Sequence, residues 1–201
     1  MRFDLHMHTR LHSPCSVIDP NELIRQAIDV GLDGIVITEH DYLWTEKALD
    51  ELRAKAPNLI IMAGVEISAN GGDLLVYGVK DPFKLAKGMH WPHLCDEIHR
   101  QGGVAVAAHP YRWGQKFDDL LSKHKPAIDG IEMMSSNMDD ELRRLAAEFH
   151  RKHPHYAGFG NSDAHEVRKV GMCYTDFDAD IRSMDDLVQA IRNRRTTPRV
   201  R

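Results

Sequence analysis

The residues of this chain best able to do chemistry are histidines and carboxylates at short, ordered spacings. His6-Met7-His8 opens the series, Glu39-His40-Asp41 follows, Glu66 and His109 stand in mid-sequence, and Asp163-Ala164-His165 comes late. On an extended chain, positions two apart face the same side, so His6 and His8 present their rings together while Met7 turns away. Asp163 and His165 repeat that spacing. Imidazole combined with carboxylate suits Zn²⁺, Mn²⁺ or Fe²⁺, whereas an all-oxygen set suits Mg²⁺ or Ca²⁺. A structural zinc site is closed, four-coordinate and often rich in cysteine. The candidate ligands His6, His8, His40, Glu66, His109, Asp163 and His165 are too many for one tetrahedral ion. Two or three divalent transition-metal ions (Zn, Mn or Fe) are therefore expected, with Glu66 as a bridging carboxylate. Glu66, His109 and Asp163 are the candidate catalytic residues. The remaining histidines need a plainer account. His90, His93, His99, His124, His150, His153 and His155 lie in polar or helical contexts and read as surface residues.

Such a set is useful only if the fold gathers it. Short apolar, β-branched runs bounded by turn residues predict strands at Phe3–His6, Gly34–Thr38, Leu59–Ser68, Leu74–Val79, Val104–Ala108, Gly130–Met134, Ala157–Asn161 and Met172–Phe177. Helical patterns fall between several of them. Asp19-Pro20-Asn21-Glu22 reads as an N-cap, a first-turn proline and a capping glutamate, opening a helix that runs to Gly31. Others are expected at Lys47–Lys55, Pro92–Gln101, Asp139–Lys152 and Ser183–Asn193. Alternating strands and helices predict a parallel sheet of βαβ units. Each candidate ligand then falls where a strand finishes, and in an α/β barrel those ends share one face.

Arg112 lies three residues past His109 and is expected to project over the same rim, where its guanidinium could fork onto two phosphate oxygens. Arg168 and Lys169 are weaker candidates of the same kind. Tyr42, Trp44, Tyr111 and Trp113 flank the ligand motifs and could stack on a sugar or base, or simply pack the loops. No Gly-x-Ser-x-Gly nucleophile elbow occurs, so a metal-assisted route needing no protein nucleophile is expected; a general acid is not assignable.

Composition bounds the rest. A net charge of -4 gives no reason to expect a nucleic-acid polymer or an anionic membrane as partner. A small phosphorylated substrate, a nucleotide included, suits the site better; oligomeric state is not readable. Cys15, Cys95 and Cys173 are odd in number and widely spaced, so no disulfide framework is implied. No signal-like or membrane-spanning apolar run is present, so a cytoplasmic location is expected. The five arginines from Arg192 to Arg201 are read as a helix C-terminus followed by a solvated end. One domain over residues 1–201 is expected, with about 170–201 as a short strand and helix extension.

The motifs Asp4-Leu5-His6-Met7-His8-Thr9, Ile37-Thr38-Glu39-His40-Asp41, Gly64-Val65-Glu66-Ile67-Ser68, Ala108-His109-Pro110 and Asn161-Ser162-Asp163-Ala164-His165 resemble, in order, those of the PHP (polymerase and histidinol phosphatase) superfamily. The resemblance implies a distorted (β/α)7 TIM-like barrel with a trinuclear site and phosphoesterase activity. By motif position, His6, His8, Glu66 and Asp163 would hold one ion, Glu66 and His109 a second, and His40 and His165 a third. The chain departs from the pattern twice. Where many members place a third-site ligand, it reads Arg10-Leu11-His12-Ser13-Pro14-Cys15-Ser16, so His12, Cys15 or neither could serve. Where some members place a histidine after the bridging glutamate, it reads Gly71-Gly72-Asp73, and Asp73 could substitute. Two other readings stay open. One is hydrolysis of a non-phosphate bond, as in amidohydrolases, although those commonly carry a ligating lysine on a barrel strand and none is seen here. The other is a non-catalytic metal-binding module.

Overall fold

Nine strands form one sheet, ordered β7-β6-β5-β4-β3-β2-β1-β8-β9, in a computed structural model that describes residues 1–201. The elements are β1 (Arg2–Asp4), α1 (Pro20–Asp29), β2 (Gly34–His40), α2 (Glu46–Arg53), β3 (Ile60–Ala69), β4 (Gly72–Tyr77), α3 (Trp91–Arg100), β5 (Val104–Ala107), α4 (Phe117–His124), β6 (Gly130–Met134), α5 (Asp140–Lys152), β7 (Ala157–Gly160), β8 (Cys173–Phe177), α6 (Met184–Arg192) and β9 (Thr196–Val200). The sheet curls into a distorted, nearly closed TIM-like barrel. No helix is long and apolar enough to cross a membrane.

Local signals behave as expected at most helix starts. Asp19 caps α1 by accepting from the Asn21 N–H at 2.9 Å, with Pro20 in the first turn. Asp139 caps α5 in the same way through Leu142 N–H, and Ser183 with Asp186 forms a reciprocal capping box on α6. Helix α4 was not expected. It buries only Phe117, so its apolar periodicity is faint.

Strands β4 and β8 run against the expected parallel direction, and a ninth strand was not expected. Strand β4 runs antiparallel to both β3 and β5. Only Asn70 and Gly71 separate β3 from β4, far too few residues for a crossover helix, so the two make a hairpin. Gly71 and Gly72 take φ of 117° and 136°, a region that glycine enters without steric cost. Strand β8 runs antiparallel to β1, and its other edge brings a correction. The arginine-rich tail is not a solvated helix end: Thr196–Val200 pairs antiparallel with β8 as β9.

The barrel interior is packed by Phe3, Leu5, Met62, Leu75, Tyr77, Val106 and Phe159. Alternate residues face outward to the helices, Leu74 and Val76 meeting Trp91, Leu94 and Ile98 of α3. The buried Tyr77 hydroxyl donates to the Leu5 carbonyl at 2.9 Å, bracing the strand that carries the His-x-His motif. A seam joins β7 to β8 and β9. A Cβ at Gly160 would lie 3.0 Å from the Arg199 nitrogen, so only glycine lets these backbones approach. The buried Thr175 hydroxyl completes the seam by accepting from Gly160 N–H at 3.1 Å and donating to its carbonyl at 2.9 Å.

Replacing Thr175 by valine keeps the shape and strands both Gly160 groups. Unsatisfied buried polar groups cost about 1–3 kcal/mol each. Thr175→Val is therefore expected to lower the thermal midpoint by roughly 4–24 °C; a midpoint equal to the parent's in a calorimetric scan would contradict this account of the seam.

Candidate metal centre

The rim where β1, β2, β3, β5 and β7 deliver their ends gathers all seven candidate ligands. His6 and His8 follow β1, and both are buried, while Met7 packs outward under α1 and α2. Met7 forms an isolated parallel bridge with Ala164, and His8 N–H donates to the Ala164 carbonyl at 3.0 Å. That bridge sets the His-x-His and Asp-x-His segments side by side. His40 ends β2 directly opposite Glu66 in the register with β3. His109 follows β5. His109 and Asp163 adopt φ of 27° and 49°, conformations that cost non-glycine residues free energy and concentrate at functional sites.

The donor atoms converge. His6 Nε2 lies 3.1 Å from His8 Nε2. Both stand 3.2 Å from Glu66 Oε2 and 3.4 Å from Asp163 Oδ1. His40 Nδ1 approaches Glu66 Oε2 at 3.1 Å, and His109 Nε2 approaches Glu66 Oε1 at 3.1 Å. His165 Nδ1 is 3.5 Å from Asp163 Oδ1. Their donor atoms form overlapping groups: His6, His8 and Glu66; His6, His109 and Asp163; His8, His40 and His165; and Glu66, Asp73 and His109. His12 and Cys15 join none of them. The His12 ring stacks on Tyr42 at 3.8 Å, and Cys15 is exposed.

The comparisons with known proteins agree with this geometry. The PHP domain model matches residues 4–167, and a PHP-associated model matches residues 141–196. The chain belongs to the PHP domain family. An uncharacterized protein of Methanocaldococcus jannaschii is 26% identical over 156 residues, covering 71% of this chain and 86% of that protein. A crystal structure from Bacteroides vulgatus, of a two-domain protein containing a predicted PHP-like metal-dependent phosphoesterase, superposes with TM-score 0.77 at 21% identity. That match covers all of this chain but 64% of the other, so this chain spans less than two thirds of its length. A lesion-specific endonuclease from Pyrococcus furiosus superposes with TM-score 0.71 at 15% identity, over 96% of this chain and 56% of that one.

The residues of this PHP chain fit divalent cations. Bonds of about 2.1 Å to one tetrahedral ion place its ligands about 3.4 Å apart, and the five distances that His6 and His8 make with each other, Glu66 and Asp163 span 3.1 to 3.4 Å. Glu66 Oε2 is buried and has no hydrogen-bond partner, a costly state unless a cation shares it. The protons tell the same story. Burial alone would lower His6, but Glu132, Asp163 and Glu66 around it hold its pKa well above the ordinary histidine value. Burial would raise Glu66 and Asp163, yet the adjacent imidazoles hold both below the usual carboxylate range. The cluster thus demands positive charge.

Several bracing residues escaped sequence reasoning. Glu132, in the middle of β6 and fully buried, accepts from His6 Nδ1 at 2.9 Å, from His109 N–H at 2.8 Å and from Asn161 Nδ2 at 2.9 Å. A register irregularity between Glu132 and Met134 reshapes the strand beside it. Asp4 accepts from Ser162 and Gly171 N–H groups, both at 2.9 Å, while burial pushes its pKa up to about 6. Glu39 accepts from the Thr9 hydroxyl, the Ser13 hydroxyl and the Trp44 indole. Their signal was a carboxylate inside an otherwise apolar strand, as in Gly130-Ile131-Glu132-Met133-Met134.

Arg112 reaches the rim, its Nη1 standing 3.0 Å from Asp163 Oδ2. Lys169 donates to Asn137, which itself donates to Asp163, whereas Arg168 is exposed and pairs with Glu166. The aromatics divide: Trp44 is buried packing, Tyr111 bonds Asp118, and Trp113 is 76% exposed beneath the Arg112 guanidinium. Among the histidines expected at the surface, His99 is half-buried and bonds Asp129 at 2.8 Å. Arg112, Trp113, His109 and Asp73 line a cleft of about 240 Å³. A larger groove of about 610 Å³ runs along the outside of β3 but holds none of the candidate ligands, so the smaller cleft is where chemistry could occur.

Partners that brace metal ligands typically account for about 10–100-fold in metal affinity. Glu132→Ala is expected to weaken Zn²⁺ binding by that factor, read by competition with a chromophoric chelator. Undiminished affinity would show that Glu132 does not orient His6.

Proposed function

We propose that this chain is a metal-dependent phosphoesterase that hydrolyses the phosphate ester of a small metabolite or nucleotide. The observation that carries the reading is the overlap of the donor groups: Glu66, His6, His8 and His109 each belong to more than one, which suits adjacent ions sharing ligands. His6, His8, Glu66 and Asp163 would hold one ion, Glu66 and His109 a second, and His40 and His165 a third. Bound there, divalent cations would make hydroxide available from water near neutral pH and offset the charge of the phosphoryl group.

The chain's own residues then have separable tasks. Glu66, deep in the cluster with both oxygens facing imidazoles, would hold adjacent cations together. His109 faces Glu66 through Nε2 and also lines the cleft. Arg112 is 25% exposed at its side chain, free on one side to fork onto a phosphate while its other side meets Asp163. The cleft of about 240 Å³ lies below the usual range of about 300–1,000 Å³ for ligand sites, which fits a phosphoryl group with a small substituent. A nucleoside substituent would extend past it onto the exposed Trp113. Amidohydrolases commonly carry a ligating lysine on a barrel strand, and none of the nine strands here contains a lysine.

Purified protein loaded with Mn²⁺ or Zn²⁺ should release phosphate from p-nitrophenyl phosphate or a nucleotide in preference to opening lactones. Chelation and Asp163→Ala should each abolish that release; turnover persisting in metal-stripped protein would overturn the reading. Losing a charge-assisted contact costs about 1.5–3 kcal/mol. Arg112→Ala is accordingly expected to raise KM roughly 10- to 100-fold with bound metal unchanged, and equal loss of metal would remove Arg112 from the substrate-binding role.

A further inference from the structure

We propose that Asp73 is a metal ligand, and that with Glu66 and His109 it forms an oxygen-rich cation site favouring a harder ion than the imidazole set of His8, His40 and His165. The inference rests on the metal-hydrolase reading above and concerns how one of its ions is held and chosen.

The placement of Asp73 follows from the reversal of β4. A strand running with its neighbours would deliver its last residue to the rim; this one delivers its beginning. Along β4, Leu75 and Tyr77 pack inside the barrel while Leu74 and Val76 pack outside, so Asp73 shares the inner face. In the hairpin register Leu75 stands opposite Glu66 and Asp73 opposite Ser68. Asp73 is thus the diagonal inner-face neighbour of Glu66. Its backbone is fixed as well, its carbonyl accepting from Ala108 N–H at 3.1 Å, one residue before His109.

The donor atoms have ligand spacing. Glu66 Oε1 and His109 Nε2 are 3.1 Å apart, and Asp73 Oδ2 is 3.9 Å from the same nitrogen. The second distance is too long for a hydrogen bond. It suits two ligands of one ion, which with bonds of about 2.1 Å lie roughly 3.0 Å apart when adjacent and 4.2 Å when opposite in an octahedron. Two carboxylates share this corner, Glu66 almost wholly buried and Asp73 half-buried. Like charges so placed need a cation between them. Asp73 and His109 also line the cleft beside Arg112, so an ion here would keep open positions toward the substrate.

The donor sets differ in kind. Two carboxylates and one imidazole form a harder set than three imidazoles, and hard sets shift relative preference toward Mn²⁺ or Mg²⁺. The ions of this centre would then not be interchangeable.

Equilibrium dialysis of the metal-stripped full chain against Mn²⁺ alone and Zn²⁺ alone, with bound metal counted by elemental analysis, tests the assignment. Asp73→Asn should lose one equivalent of Mn²⁺, or bind it more than about 100-fold more weakly, beyond what bracing residues cost. Asp73→His should restore the equivalent with its preference moved toward Zn²⁺, and it serves equally if the asparagine variant fails to fold. Retention by both variants of the parent's Mn²⁺ stoichiometry and affinity would overturn the role of Asp73 while leaving the hydrolase reading intact. A parent chain that binds no divalent cation would sink both.

Discussion

The structure depends on one electrostatic constraint: carboxylates removed from water at the centre of a protein must meet positive charge. Glu66 is 1% exposed, and Asp163 likewise lies almost wholly inside. Isolated there, each would cost several kcal/mol. The barrel answers with imidazoles from separate strands, braced from behind by Glu132, Ser13 and the Asp4 network. The bracing groups are themselves saturated with hydrogen bonds. The single unpartnered oxygen, Glu66 Oε2, lies at the point where the imidazole nitrogens converge. Polar density of this kind is expensive to build and is tolerated where it does chemistry.

The fold meets the constraint through topology more than through local preference. Parallel strands place the ends of β1, β2, β5 and β7 at one rim, and the reversed β4 adds its beginning to the same place. Strain is accepted there too, in the left-handed backbones of His109 and Asp163. The opposite end and the outer layers obey ordinary rules, with capped helices over apolar strand faces.

Much of this was legible in the residues. His6-Met7-His8 announced its geometry, because the period of an extended chain leaves little freedom, and Met7 does turn into the apolar layer. The strand-end placement of His40, His109 and Asp163 was likewise readable, since short apolar runs end sharply. Three things were not. The hairpin was hidden because Leu59–Ser68 and Leu74–Val79 have the same apolar character whichever way they run; only the shortness of the link betrays an antiparallel pair. Strand β9 was hidden because Thr196-Thr197-Pro198-Arg199-Val200 carries little apolar content, and its pairing depends on the distant β8. Glu132 was hidden because it stands in no motif, and the role of Asp4, which opens one, because a motif does not say which of its residues hold the others.

The position of β1 sets an order on how the molecule comes together. Its neighbours are β2, early in sequence, and β8, which begins at Cys173. The bridge from Met7 to Ala164 spans nearly the same distance along the polypeptide. A chain emerging from the ribosome therefore presents His6 and His8 well before the segment that completes their surroundings. Long-range pairings of this kind close slowly, because loop entropy is lost before contacts repay it. The centre is consequently complete only once these distant segments have paired, and a cation held there would latch them together.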